Sequence, residues 1–255
     1  MVEYEVRGRA AWITLASPET RNALSSAMID GLGAALVRAT DDPAVRVIVL
    51  TGRGTAFCAG ADLKGGGAAV APGGGQQNPF VDVLKRMWDG PKPVVVAANG
   101  HAFGGGVGLV AAADVALAVE SATFSLSEVR VGVIPAMISV VVLPKLGVHQ
   151  TMRLFLTGRR FDAREALAHG ILHRVVPAEG LEAAVLEEVD AIAQGGPIAV
   201  AEAKRLVRTV ARLPMDDAFA YAEAKIAELF SSPEAAEGMA AFAEKRKPRW
   251  AAPTS

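Results

Sequence analysis

The segment HAFGGGVGLVAAAD, which begins at residue 101, interrupts an apolar run with bare backbone. Gly104, Gly105 and Gly106 are consecutive, and Gly108 follows them. A glycine inside a regular element costs about 0.5–1 kcal/mol relative to alanine, because it loses more backbone entropy on folding. The run therefore indicates that some group has to approach this backbone closely.

Several kinds of structure use bare backbone in this way. A phosphate-binding P-loop requires G-x-x-x-x-G-K-[ST], which the sequence lacks. The dinucleotide pattern G-x-G-x-x-A is met from Gly106 to Ala111, but Asn99 to Phe103 separate it from the strand that should lead directly into it. An oxyanion site, in which backbone N–H groups bind a carbonyl oxygen, is the third interpretation. Close packing of a helix on a strand is the simplest alternative.

A second loop of small residues, FCAGADL, runs from Phe57 to Leu63. Both loops follow apolar runs, VRVIVLTG and KPVVVAANG, that predict buried strands. Because ligands bind at the carboxyl ends of strands in an open sheet, we expect the two loops to converge on one oxygen atom. Cys58 is interpreted as a small buried filler rather than a nucleophile, since no base lies near it in the sequence.

Strand and helix patterns alternate around these loops. YEVRGRAAWITLA predicts a hairpin, and SSAMIDGLGAALVRAT predicts a helix with Ser25 as its N-cap. DVALAV and ATFSL predict two further strands, and FVDVLKRMWDG predicts a short helix. From Gln150 onward the pattern is helical and only HRVV interrupts it. We therefore predict an α/β core over residues 1–195 and a helical region over residues 196–255.

Composition limits the classes of partner. The chain has 255 residues, with 26 Lys and Arg against 27 Asp and Glu, so no basic surface for nucleic acid is expected. The single cysteine allows no internal disulfide. The first residues lack the pattern of a secretory signal, and the longest apolar stretch is too short to span a bilayer. We therefore expect a cytoplasmic protein without a membrane partner.

Five motifs together resemble the crotonase (enoyl-CoA hydratase/isomerase) superfamily. They are FCAGADL, KPVVVAANGHAFGGG, FSLSEVRVGVIP, LTGRRFDAREA and EGMAAFAEKRK, in this order and over essentially the whole chain. The resemblance implies a repeated ββα spiral core with a C-terminal helical trimerisation region. It also implies an acyl-CoA thioester as substrate, with its carbonyl oxygen held by two backbone N–H groups. No cofactor apart from the CoA of the substrate is implied.

The resemblance assigns roles to individual residues. The two oxyanion donors fall on Ala61 and Gly105. Hydratases of the family carry two glutamates, and their positions here are Gly108 and Glu128, so one carboxylate is missing. We interpret Gly108 as leaving space where a side chain would project. Further contacts with the substrate are expected from Ala59, Asp62, Leu63, Gly104 and Gly108.

Glu128 alone can still carry a proton. Burial among Val129, Val131 and Val133 should raise its pKa, whereas Arg130 would oppose the rise if it pointed the same way. The following segment, AMIS from residue 136, replaces the paired glycines common in the family. It resembles members that act on branched or glutaconyl-type acyl-CoA esters.

Outside the loops, the histidines carry little signal. His169 and His173 are four residues apart, but Gly170 and a predicted change from helix to strand separate them, so we expect no metal site. The resemblance places Phe242 and Lys245 against the adenine nucleotide of CoA bound to a neighbouring subunit, which implies a homotrimer or a dimer of trimers.

The sequence thus predicts an enoyl-CoA hydratase-type lyase with Glu128 as acid/base. An enoyl-CoA isomerase and a non-catalytic acyl-CoA binder stay open as alternatives.

Overall fold

The computed structural model of the protein describes residues 1–62 and 78–251. Leu63, a predicted substrate contact, lies outside the described residues. The strands are β1 (Val2–Arg7), β2 (Ala10–Leu15), β3 (Val47–Gly52), β4 (Ala56–Cys58), β5 (Val94–Ala98), β6 (His101–Phe103), β7 (Val115–Val119), β8 (Thr123–Ser125), β9 (Arg160–Asp162) and β10 (Arg174–Val176).

These strands form two sheets. The larger sheet has the order β1-β2-β3-β5-β7-β10, and the smaller has the order β4-β6-β8-β9. β1 is antiparallel to β2 and β9 is antiparallel to β8, whereas the other neighbours are parallel. The predicted hairpin is confirmed, with Gly8 in its turn at φ +56°.

Helices follow most of the strand pairs. Ser25 caps the first of them, because its side chain accepts a hydrogen bond from the Met28 N–H at 3.2 Å. The helices are α1 (Ser26–Asp41), α2 (Pro79–Asp89), α3 (Gly105–Ala112), α4 (Ala136–Thr157), α5 (Ala163–Ala168), α6 (Leu181–Ala193), α7 (Pro197–Val210), α8 (Met215–Phe230) and α9 (Pro233–Ala243).

A repeated ββα unit explains the two sheets. The units are β3-β4-α2, β5-β6-α3 and β7-β8-α4. In each unit the first strand joins the larger sheet and the second joins the smaller sheet. The side chains of β3 and β5 that face both layers are buried, which is why their sequences are continuous apolar runs. The predicted α/β fold with a ββα spiral core and helices at the C-terminal end is confirmed.

Some elements differ from the sequence prediction. α4 begins at Ala136 rather than near residue 150, and it contains Pro144 and a break at Gly147, where φ is +67°. These breakers hide the helical period from sequence analysis. β4, β6 and β9 have only three residues each, too few for an alternating pattern to be recognised.

The C-terminal helices are anchored to the core. The Lys204 ammonium donates to the Met87 and Lys92 carbonyls at 2.9 and 3.0 Å and pairs with Asp114 at 2.8 Å. The Trp250 indole donates to the Gln194 carbonyl at 3.0 Å. The division of the chain near residue 195 stays a prediction. None of the helices in the described ranges is long and apolar enough to cross a membrane, and a cytoplasmic location stays a prediction.

A buried asparagine holds the loop that precedes the first small-residue segment. Asn22 is fully buried, and its side-chain NH₂ group donates to the carbonyls of Arg53, Ala56 and Phe57 at 2.8–3.2 Å. Its side-chain oxygen accepts from the Ser17 N–H at 2.9 Å. Asn22 therefore fixes the chain just before β4 and within it, and the C-terminal end of β4 leads into Ala59–Ala61.

Replacing Asn22 by alanine should leave the buried Ala56 and Phe57 carbonyls and the Ser17 N–H without the bonds that Asn22 makes to them. Each unsatisfied buried group costs about 1–3 kcal/mol, so we expect Asn22→Ala to lower the free energy of unfolding by about 3 kcal/mol or more. The matched control is Asn78→Ala, which removes an N-cap of α2 and should cost about 1 kcal/mol. Urea denaturation followed by circular dichroism measures both. Equal losses in the two variants would contradict the role assigned to Asn22.

Candidate acid/base and oxyanion site

The two small-residue loops meet where β4 and β6 end. A β-carbon on Gly60 would lie 2.6 Å from the Phe103 carbonyl oxygen and 3.5 Å from the Gly105 nitrogen. Gly60 has φ +84° and Gly104 has φ +50°, so both adopt left-handed backbone that favours glycine. The two loops meet as predicted, and only glycine permits the approach, while their binding of one oxygen atom stays a prediction.

Both predicted donor residues lie at this meeting point. Gly105 begins α3, so its N–H has no acceptor within the helix. The Leu24 N–H donates to the Gly60 carbonyl at 2.8 Å, and Leu24 forms a parallel bridge with Ala61. In a bridge of this kind the N–H of Ala61 points away from Leu24. Ala61 and Gly105 are both half-buried, so neither residue is sealed in the core.

Glu128 lies directly beside the glycine run. It begins a short 3-10 turn, Glu128–Val131, after β8, and a β-carbon on Gly104 would lie 3.2 Å from Glu128 Oε1. The other carboxylate oxygen, Oε2, is buried and has no hydrogen-bond partner. A buried oxygen without a partner is rare in proteins and often marks a functional group. The structure thus joins Glu128 to the loops that carry Ala61 and Gly105.

Burial determines the ionisation of Glu128. It raises the pKa of this carboxyl above the ordinary value, and a hydrogen bond from the residue's own backbone lowers the pKa by less. Arg130 does not oppose the rise, because its guanidinium donates to the Thr157 carbonyl at the end of α4, at 3.2 and 3.3 Å. A carboxyl with a raised pKa can both accept and return a proton near neutral pH.

Close packing also explains part of the glycine run. A β-carbon on Gly106 would lie 2.5 Å from the Cys58 carbonyl oxygen, and one on Gly105 would lie 2.6 Å from Leu24 Cδ1. Cys58 is fully buried, and burial raises the pKa of its thiol to about 12. The interpretation of Cys58 as a filler is confirmed.

The dinucleotide interpretation is wrong. The G-x-G-x-x-A pattern from Gly106 to Ala111 lies inside α3 and not at the turn between a strand and a helix. β6 stands between β5 and that helix, so the glycines do not follow the strand that a dinucleotide site requires.

The space beside Gly108 is occupied. A β-carbon there would overlap Ile138 Cγ2 and lie 2.9 Å from Ile138 Cβ. Ile138 belongs to the first turn of α4 and is 3% exposed. The sequence-based interpretation that Gly108 leaves free space is therefore corrected, because a neighbouring helix fills that space. Whether Gly108 touches substrate stays a prediction.

The other predicted substrate contacts lie in two separate parts of the structure. Ala59 and Asp62 are half-buried and flank Gly60 and Ala61 in the first loop. Phe242 and Lys245 lie at the end of α9, where Phe242 is 86% exposed and the Lys245 N–H donates to the Phe242 carbonyl at 3.2 Å. No contact between either of them and Glu128 is present among residues 1–62 and 78–251. Their roles stay predictions.

Sequence reasoning missed the residues that shape the site from a distance. Leu24, Phe80 and Ile138 contact the positions where β-carbons of Gly105 and Gly108 would lie. For Leu24 and Phe80 the only signal was apolar character, which many core residues share, whereas Ile138 belongs to the unusual AMIS segment but was not placed against Gly108. A cavity of about 360 Å³ beside Trp88 and one of about 250 Å³ beside Trp250 are lined by other residues and not by Glu128.

The raised pKa of Glu128 predicts a pH-dependent cost in stability. The folded protein binds the Glu128 proton more tightly than the unfolded chain does. The contribution of protonated Glu128 to the free energy of unfolding is therefore present at acid pH and is lost as pH rises through the folded pKa. We expect Glu128→Gln to melt at a higher temperature than the parent at about pH 8, with a difference that shrinks toward about pH 4.5. The exposed Glu179→Gln is the control. A melting difference independent of pH would contradict the burial effect.

Known proteins resemble this chain in sequence over nearly its whole length. Residues 5–253 match the family model described as enoyl-CoA hydratase/isomerase. The chain is 37% identical over 250 residues to carnitinyl-CoA dehydratase of Proteus mirabilis, with 96% of this chain and 95% of that protein covered. It is 35% identical over 244 residues to the enzyme of that name from Salmonella enteritidis, with 93% of each covered.

A solved structure extends the comparison. The crystal structure of an enoyl-CoA hydratase from Shewanella pealeana superimposes with a TM-score of 0.92 at 31% identity, and the match covers 98% of this chain and 95% of that one. Sequence and fold therefore agree over nearly the whole length, and the chain belongs to the enoyl-CoA hydratase/isomerase family of enzymes, within the crotonase superfamily.

Proposed function

We propose that the protein is a hydro-lyase that acts on an acyl-CoA thioester, with Glu128 as its acid/base and the N–H groups of Ala61 and Gly105 as its oxyanion donors. The observation that carries the proposal is the buried, unpartnered Oε2 of Glu128 beside the glycine run. In this proposal the CoA of the substrate is the only cofactor.

One direction of the proposed reaction is loss of water. The Glu128 carboxylate accepts the proton on the α-carbon of a 3-hydroxyacyl-CoA, and the electron pair moves onto the thioester oxygen. Two backbone N–H groups stabilise that negative charge, and losing one such donor typically costs about 10²- to 10³-fold in rate. The bond from the β-carbon to oxygen then breaks as Glu128 returns the proton to the leaving hydroxyl, which departs as water. Hydration is the reverse.

The relatives support this direction of chemistry. They are named carnitinyl-CoA dehydratase and enoyl-CoA hydratase, and both names describe loss or gain of water by a CoA ester. For the acyl group we propose a branched or glutaconyl-type chain, because AMIS replaces the usual glycines at the start of α4. Ile138 of this segment packs against Gly108 of α3, the helix that begins with the proposed donor Gly105.

An enoyl-CoA isomerase is the second candidate. The Ile138 side chain occupies the space beside Gly108, so no second carboxylate can project there. A 1,3-proton shift needs only one carboxylate, which takes a proton from one carbon and returns it to another. A non-catalytic binder is less well supported, since it would have no use for a carboxylate with a raised pKa.

Glu128→Gln tests the proposed mechanism. It preserves shape but removes the proton carrier, so turnover should fall by about 10²- to 10⁴-fold. Binding of the CoA ester should change little, because it depends on the hole and on the nucleotide contacts. Mass spectrometry of products from a panel of enoyl-CoA esters identifies the reaction. A gain of one water indicates a hydratase, and an unchanged mass with a moved double bond indicates an isomerase.

The outcomes of this experiment separate the candidates. Parent activity in Glu128→Gln would remove Glu128 from the mechanism. Binding without any product across the panel, in the parent protein, would support the non-catalytic binder.

We further propose a homotrimer, or a dimer of trimers, in which Phe242 and Lys245 complete the CoA site of a neighbouring subunit. The exposed apolar side chains of the C-terminal helices support this assembly, because a large exposed apolar surface marks an interface. They include Met215, Phe219, Ile226, Phe230, Met239 and Phe242.

Paired substitution of Phe242 and Lys245 by alanine tests this assembly. Truncation of the helix would also remove the Trp250 contact with the core, so point substitutions are the cleaner change. We expect weaker CoA-ester binding, by about tenfold or more for two lost contacts, together with a shift toward the 26.4 kDa monomer in analytical ultracentrifugation. Val6→Ala, on the edge strand β1, is the control. A monomeric variant with unchanged CoA affinity would contradict the shared site.

A further inference from the structure

Gly108 lies one helical turn beyond the residue that neighbours the Glu128 carboxylate. The Gly108 N–H donates to the Gly104 carbonyl at 3.1 Å, and Gly104 is the residue beside Glu128 Oε1. One helical turn advances about 5.4 Å. A group that fills the volume in front of Gly108 therefore lies about one helical turn from Gly104, the residue beside Glu128.

Ile138 fills that volume with a rigid group. The atoms nearest to a β-carbon at Gly108 are Ile138 Cγ2, which would overlap it, and Ile138 Cβ at 2.9 Å, whereas Ile138 Cα lies at 3.9 Å. A β-branched side chain in a helix has essentially one χ1 rotamer, so these atoms cannot swing aside as the end of a long side chain can. Ile138 is also 3% exposed, which leaves it no alternative position in solvent.

The two residues therefore require each other. Any side chain at position 108 would collide with Ile138, and a shorter residue at position 138 would leave a cavity against α3. Shortening position 138 to alanine would not relieve the collision, because the β-carbon at 2.9 Å would remain. Only glycine at position 138 removes it, since the α-carbon at 3.9 Å is in ordinary van der Waals contact.

We propose that Ile138 determines the reaction specificity of the Glu128 site. Its γ-methyl group excludes a second acid/base group, and water that such a group would hold, from the volume in front of Gly108. Proton movement then runs through Glu128 alone. This inference rests on the proposed function, because it assumes that Glu128 exchanges a proton with the α-carbon of a CoA ester.

The substrates that suit this arrangement are CoA esters whose reaction needs one proton carrier. In one class, the α-proton taken by Glu128 is returned to a β-hydroxyl that leaves from the same face as water. In the other, the same proton is returned to the γ-carbon while the double bond moves. Addition of water to a straight-chain enoyl-CoA should be comparatively slow, because no second group positions the attacking water.

Exchanging the two residues tests the inference. The double variant Gly108→Glu/Ile138→Gly places a carboxylate in the volume that Ile138 vacates. Its matched control, Gly108→Gln/Ile138→Gly, has the same shape but cannot carry a proton. We expect the glutamate variant to hydrate a straight-chain enoyl-CoA at least tenfold faster than the glutamine variant, a modest share of the roughly 10²- to 10⁴-fold range for an acid/base group.

The stability of variants with side chains of different size at position 138 provides a second readout. Gly108→Glu/Ile138→Ala should fold less stably than Gly108→Glu/Ile138→Gly, because the remaining β-carbon still collides. Where the double variants do not fold, Ile138→Gly alone decides the question with added formate, which is smaller than the side chain removed. Formate should then accelerate hydration in Ile138→Gly and leave the parent unchanged.

A separate assay distinguishes a failure of the proposed function from a failure of the role of Ile138 alone. Exchange of the α-proton of a saturated acyl-CoA with D₂O, followed by NMR, requires Glu128 and the oxyanion hole but no added water molecule at the β-carbon. Absence of exchange in the parent would overturn the proposed function itself. The role of Ile138 alone would be overturned by a different result. In that result the parent and the glutamate variant both exchange the α-proton, but glutamate hydrates no faster than glutamine and formate does not accelerate hydration in Ile138→Gly.

Discussion

The close approach of two backbone segments is the constraint on which the rest of the site depends. Gly60 faces the Phe103 carbonyl oxygen at a distance that leaves no room for a β-carbon, and the Gly105 nitrogen lies just beyond. The two sheets make this approach possible, because successive ββα units place β4 and β6 side by side in parallel. A parallel pair ends at the same edge, so the loops that follow meet there.

Glu128 carries a partly buried carboxyl group beside this meeting point, and burial disfavours its charged form. Its carboxylate is held against Gly104 with one oxygen unpartnered, and burial raises its pKa. Arg130, the nearest cation in sequence, is bound instead to the end of α4. The fold thus keeps a proton carrier in a place that disfavours its charge, and such a group is more useful in proton transfer than in stability.

The local features of the fold could be predicted from the sequence. The hairpin at Gly8, the cap at Ser25 and the buried strands each depend on a few neighbouring residues. The strands β4, β6 and β9 and the break at Gly147 were not recognisable, because their stability comes from pairing and packing rather than from a periodic pattern. The α4 helix was recognised only in part for the same reason.

The candidate site, like the fold, was predicted where it depends on local sequence and missed where it depends on distant contacts. The meeting of the two loops follows from strand order, whereas Glu128 was singled out by the resemblance to the crotonase superfamily. Neither of these predicted that Ile138 fills the space at Gly108, because that contact joins residues thirty positions apart on two helices. The direction of the Arg130 side chain likewise depends on α4 and not on its own neighbours.

The most direct measurement is a crystal structure of Glu128→Gln with a bound enoyl-CoA ester. We predict that the thioester oxygen lies about 2.7–3.1 Å from the backbone nitrogens of both Ala61 and Gly105. The amide of residue 128 should face the α-carbon of the acyl chain. A thioester oxygen bound away from these two nitrogens, or an acyl chain that does not reach residue 128, would contradict the account.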